Sequence, residues 1–130
     1  MTPELTYLAY ATVLLLVHMM VQAAASDLVK GIPWALGSRD ENIDPGVLGG
    51  RLERALTNYA YNFPAFVALA LTLKVTDLST ETTALGAAIW FWARVAFLPL
   101  YAIGVPLLRS VAWVVSIAGL AMMILPLLQA

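Results

Sequence analysis

The chain has 130 residues, of which 62% are hydrophobic and 12% charged, and its mean hydropathy is +0.84. A soluble domain of this size would leave much of that apolar surface in water and aggregate, so a soluble globule, a disordered chain and a nucleic-acid binder are excluded. The net charge of −1 offers no basic patch, cysteine is absent, and a lone histidine (His18) cannot build a metal site.

What remains is an integral membrane protein. A transmembrane helix takes about 20 apolar residues, so the length accommodates four helices with short connections. The first is expected over about 5–25. No Lys or Arg precedes Lys30, so the basic flank of a cleavable signal is missing and a retained helix is expected. Residues 26–50 are polar and punctuated by Gly31, Pro33, Gly37, Pro45, Gly46, Gly49 and Gly50, which predicts a structured loop. The second helix is expected over about 48–75, with polar first turns and a kink at Pro64. Ser79 or Thr80 can cap a third helix over about 81–102, with Glu81 favourable in its first turn. A break at Gly104 and Pro106 precedes a fourth helix over about 107–128.

The basic residues orient this arrangement. Lys30, Arg39, Arg51 and Arg54 lie in or beside the first connection, and Arg94 and Arg109 flank the third; only Lys74 falls at the other end. Six of seven on one side predicts an up-down-up-down topology with both termini away from the cytoplasm.

A charge at the hydrocarbon level costs about 2.5–3.5 kcal/mol, so it must be paired, snorkelling or functional. Arg51, Arg54, Asn58 and Tyr61 are spaced to share one helix face, as are Arg94 and Tyr101, and Arg109 and Ser110 open the last helix. Arginines, an amide and hydroxyls can therefore converge at one end of the bundle, where guanidinium forks bind carboxylates in pairs. The blander alternatives are that Arg51 and Arg109 only snorkel to lipid phosphates, that Arg94 is ion-paired to Glu53 or Asp40, and that Asn58 joins helices. His18 is expected to face another helix, and the four tryptophans to pack or lie at the interface.

The run Arg51-Leu-Glu-Arg54-Ala-Leu-Thr-Asn58-Tyr-Ala-Tyr61-Asn-Phe-Pro64 resembles the second-helix signature of the MAPEG family, membrane-associated proteins in eicosanoid and glutathione metabolism. That pattern is R-x-x-R-A-H-x-N-x-x-E, then proline. Ala93-Arg94-Val95, Tyr101 and Pro106-Leu-Leu-Arg109-Ser110 resemble a second segment of the family, and Gly37-Ser-Arg-Asp40 is similar to a loop of bacterial members. The resemblance implies an all-α, integral membrane four-helix bundle that assembles as a homotrimer, in a bacterial inner membrane. It implies glutathione between protomers near the cytoplasmic side, held by Arg54, Asn58, Tyr61, Arg94 and Tyr101, with Arg109 and Ser110 stabilising its thiolate. The reaction it implies is attack on a lipophilic electrophile or hydroperoxide from the bilayer, and neither metal nor nucleic acid is expected. Three positions depart from the pattern: Leu56 replaces the histidine, Tyr61 the glutamate, and Phe97 a histidine of some catalytic members. The carboxylate-binding half of a glutathione site is retained, and the ammonium-binding half is not. A non-catalytic relative that binds another anionic amphiphile, or serves as a partner subunit, is the alternative. A small multidrug exporter is set aside, because residues 5–25 hold no carboxylate to couple protons.

Overall fold

The computed structural model describes all residues from Met1 to Ala130. It is entirely helical: α1 (Pro3–Lys30), α2 (Ile32–Leu36), α3 (Gly46–Thr76), α4 (Glu81–Ile103) and α5 (Pro106–Gln129). Residues 26–50 differ from the expected loop. Ser26–Lys30 contain no helix breaker, so α1 continues until Gly31, and Lys30 in its last turn complements the helix dipole. Ile32–Leu36 then form a short helix with Pro33 in its first turn, where the missing N–H is no loss.

The other ends follow from local chemistry. Thr80 and Thr83 form a reciprocal cap on α4, the Thr83 N–H donating to Thr80 Oγ1 (3.2 Å) and the Thr80 N–H to Thr83 Oγ1 (2.8 Å). Gly104 ends α4 in the left-handed region, with φ at 77°, and Val105 N–H reaches back to Leu100 O at 3.0 Å. α3 runs through Pro64 as one helix.

Three helices, α1, α4 and α5, are long and apolar enough to cross a membrane. α3 is the exception to the expected four. It is longer, but Asn58, Asn62, Tyr59, Tyr61 and Pro64 dilute its apolar stretch.

Only 23 of the 130 residues are buried, while Val13, Leu16, Met20, Val114 and Leu128 face outward. Such a surface suits hydrocarbon rather than water. The core is correspondingly thin. Phe66 of α3 stacks flat on Trp90 of α4, with ring centres 4.1 Å apart, and Ala11, Ala70, Ala87 and Met123 close around them. Tyr59 joins α3 to α1 by donating its hydroxyl to Ala11 O at 2.7 Å.

α4 and α5 meet at two glycines. A β-carbon on Gly86 would lie 2.7 Å from Gly119 O, and one on Gly119 would lie 2.6 Å from Gly86 O and 2.8 Å from Trp90 N. Small residues are what allow two membrane helices to approach this closely. In an isolated helix, Gly→Ala stabilises by about 1 kcal/mol. Here Gly119→Ala is expected to have the opposite sign and to lose about 1–3 kcal/mol through forced separation. A lowered thermal midpoint in detergent checks the sign; a raised one would place the closest approach elsewhere.

Candidate functional site

The arginines gather where α3 begins, α4 ends and α5 begins. Arg51 lies across the end of α4, its Nη1 donating to Ala102 O at 3.2 Å. That carbonyl is one of the four a helix end leaves unpaired. The guanidinium occupies the space beside Gly104, where a β-carbon would come within 2.7 Å of it. Arg51 is therefore a helix-capping cation, rather than one that only snorkels to lipid.

Three recesses adjoin one another around Tyr101. The first, about 200 Å³, is lined by Arg51, Arg54, Tyr101, Arg109 and the Gly104–Pro106 turn, and contains no acidic residue. The second, about 450 Å³, is lined by Asn58, Tyr101, Arg109 and Ser110 with Phe97, Trp113 and Val114. The third, about 370 Å³, is lined by Glu53, Arg54, Thr57, Asn58, Tyr61 and Tyr101. The Tyr101 ring is flanked by both cations, the Arg109 guanidinium at 4.5 Å and that of Arg54 at 5.9 Å from its centre. The N-terminus of α5 has no side-chain cap, so its free N–H groups add positive potential beside the first recess.

Six of the seven sequence-predicted residues line these recesses: Arg54, Asn58, Tyr61, Tyr101, Arg109 and Ser110. Tyr61 stands well out from α3, 79% exposed. The Ser110 hydroxyl is turned back on its own helix and donates to Pro106 O at 2.9 Å.

Arg94 is the seventh and is not on the wall. It is 0% exposed. Its Nη2 donates to Asn58 Oδ1 at 2.8 Å, and its Nε and Nη1 have no partner. The expected ion pair with Glu53 or Asp40 is thus replaced by an amide. The reason is placement: Glu53 is exposed at the third recess and Asp40 lies in the α2–α3 connection. The aromatic faces of Phe97 and Tyr59 lie 4.4 Å and 5.4 Å from the guanidinium and offer their negative quadrupoles instead.

This pairing orients Asn58. With Oδ1 turned toward Arg94, the amide nitrogen is the end left for the recesses, so the wall presents a donor there. A continuous stack follows along α4: Arg94 on Phe97, the Phe97 ring edge-on to Tyr101 at 5.4 Å, and Tyr101 against Arg109. Phe97, one of the departures from the family pattern, is what links the buried cation to the half-buried Arg109. His18 faces α3 as expected, its ring 4.6 Å from that of Tyr59.

Sequence reasoning missed two features. Glu53, expected only as a partner for Arg94, brings a carboxylate into the recess that holds Tyr61. The i+8 spacing of Glu53 and Tyr61, about two helical turns, was the available signal. The capping role of Arg51 had none, because its partner carbonyl is 51 residues away.

Removing the single partner of a buried cation costs about 1.5–3 kcal/mol. Asn58→Ala is expected to lower the thermal midpoint accordingly, and Asn58→Asp, which puts an anion against Arg94, to restore it. Equal midpoints for the two variants would disprove the pairing.

No curated protein matches the chain. A family model does: the model described as MAPEG family matches residues 5–128, which include every residue of the arginine recesses. With three helices apolar enough to cross a bilayer and a match over nearly its whole length, the chain is an integral membrane protein that belongs to the MAPEG family.

Proposed function

We propose that this protein is a glutathione-dependent transferase or peroxidase acting on lipophilic electrophiles. In this reading it is a four-helix, up-down-up-down protomer within a homotrimer, in a bacterial inner membrane with both termini on the non-cytoplasmic side. The observation that carries the reading is the first recess, walled by three arginines and no acid. Such a wall demands an anion. Glutathione brings two carboxylates and one ammonium.

The residues fit these groups unequally. Arg51, Arg54 and Arg109, with the Asn58 amide, suit the carboxylates. The ammonium lacks the family glutamate at Tyr61, but Glu53 lines the same recess and can carry the compensating charge. The recesses are open on the outer side, and Tyr61 is exposed there, so a neighbouring protomer would close them. Trp113 and Val114 make the second recess partly apolar, which suits a lipophilic co-substrate arriving from the bilayer.

Arg109 is the residue suited to activate the thiol. A nearby cation favours the thiolate over the thiol. In transfer, the thiolate sulfur forms a bond to an electrophilic carbon, a halide leaves with the bonding pair, and the thiol proton passes to water. In the peroxidase reaction two thiols reduce one hydroperoxide to an alcohol and water and leave as a disulfide. Ser110 is suited to a supporting role once its hydroxyl turns from Pro106 O.

A second reading is favoured by Leu56 and Phe97, which are apolar where catalytic relatives are polar, and by the engagement of Ser110 with its own helix. In it the protein binds a different anionic amphiphile, or acts as a partner subunit, without turnover.

Calorimetry of glutathione with the purified protein separates these. Binding is expected, and Arg54→Ala is expected to weaken it about tenfold or more, the worth of a charge-assisted contact. Millimolar glutathione giving neither heat nor thermal shift would eliminate the first reading. Binding without turnover of an aromatic halide or cumene hydroperoxide would select the second.

Glu53 has its own test. Glu53→Gln is expected to weaken glutathione several-fold while leaving an analogue without the amino group unaffected. Equal losses for both ligands would show that Glu53 does not meet the ammonium.

A further inference from the structure

A separate recess of opposite character lies at the far end of the molecule, where α1 and α4 begin. It is about 420 Å³ in volume and is lined by Pro3, Glu4, Ser79, Thr80, Glu81 and Ala84. Two carboxylates line it and no basic residue does. Glu81 is stabilised by its place in the first turn of α4. Glu4 is different. Its side chain is 0% exposed, although it sits at the start of an apolar helix with no cation against it.

Half of the Glu4 carboxylate is accounted for by the protein. Oε1 is hydrogen-bonded to the Thr83 hydroxyl, which also belongs to the α4 cap. Oε2 is buried without a partner. The hydroxyl oxygen of Ser79, on the same recess, is likewise buried without a partner. A buried polar atom left unpaired costs about 1–3 kcal/mol, more when charged. Two on one wall, beside a second carboxylate, mark a place that lacks a donor.

The donor it lacks is cationic and has several N–H groups. A divalent metal fits poorly, since no third His, Cys, Asp or Glu joins the two carboxylates and hard cations take six or more oxygens. A primary ammonium has three donors on one atom. Three acceptors on the wall answer to it: Glu4 Oε2, Ser79 Oγ and the Glu81 carboxylate. The recess lies where the apolar run of α1 starts, the end that a bilayer spanned by this helix would hold near its head groups. We propose that this recess binds a primary ammonium group, with the head group of an ethanolamine phospholipid as its source. The site is independent of the arginine recesses at the opposite end.

The test compares the full-length protein in nanodiscs of phosphatidylcholine with and without phosphatidylethanolamine. Phosphatidylcholine is zwitterionic too, but its quaternary nitrogen has no N–H. The ethanolamine lipid is expected to raise the thermal midpoint by about 3 °C or more. Glu4→Gln, which keeps an oxygen for Thr83 and removes the charge, is expected to abolish the rise. Should Glu4→Gln fail to fold, Ser79→Ala and Glu81→Gln are each expected to reduce it. Free ethanolamine added to pure phosphatidylcholine discs, if it reproduces the rise in the wild type alone, identifies a soluble amine as an equal source. Equal midpoints in the two lipids, with no effect of free ethanolamine, would overturn the proposal. So would a rise that survives all three substitutions, or the same rise produced by magnesium alone in phosphatidylcholine.

Discussion

Arg94 is a cation with no anion beside it, enclosed by helices whose outer surfaces are apolar. An unpaired charge in such surroundings is expensive, and much of the arginine end is arranged around it. One nitrogen is satisfied by Asn58, and the planar faces of Phe97 and Tyr59 cover the guanidinium. Asn58 is thereby held with its donor end toward the recesses. Phe97 passes the stack on to Tyr101, and Tyr101 braces Arg109. The half-buried Arg109 is thus braced through the rings that cover the buried Arg94.

The second constraint is thinness. With so few residues buried, the helices cannot rely on a broad core and meet through small residues and flat rings instead. The Gly86–Gly119 crossing brings α4 and α5 backbone to backbone, and the Phe66–Trp90 stack joins α3 to α4. A thin molecule also makes shallow sites. The recesses around Tyr101 are grooves rather than enclosed cavities. The two ends carry opposite polarity, guanidinium groups at one and a buried carboxylate at the other.

Much of this was legible in the residues. The places of the four long helices follow from apolar runs, and the cap at Thr80 follows from its side chain. The convergence of Arg54, Asn58, Tyr101 and Arg109 follows from helical spacing and from alternating chain direction. What escaped were contacts across helices. The sequence points to a carboxylate as the partner of Arg94, and the structure supplies an amide. The extension of α1 to Lys30 was hidden by a polar composition that reads as loop although it contains no breaker. Glu53 looked like a counter-ion for an arginine because periodicity does not say which side of a recess a long side chain reaches.

By itself, then, the sequence determined the medium, the helices and the end at which positive charge collects, because each follows from local composition and period. Tertiary structure alone decided which cation is buried and which faces a ligand. It decided that Arg51 caps α4, and that Glu4 keeps one oxygen without a partner. Those outcomes depend on how closely two helices approach and on which side chain fills the space between them. Each is a contact between groups far apart in the chain, Arg51 with Ala102, Arg94 with Asn58 and Glu4 with Thr83, which local composition and period do not encode.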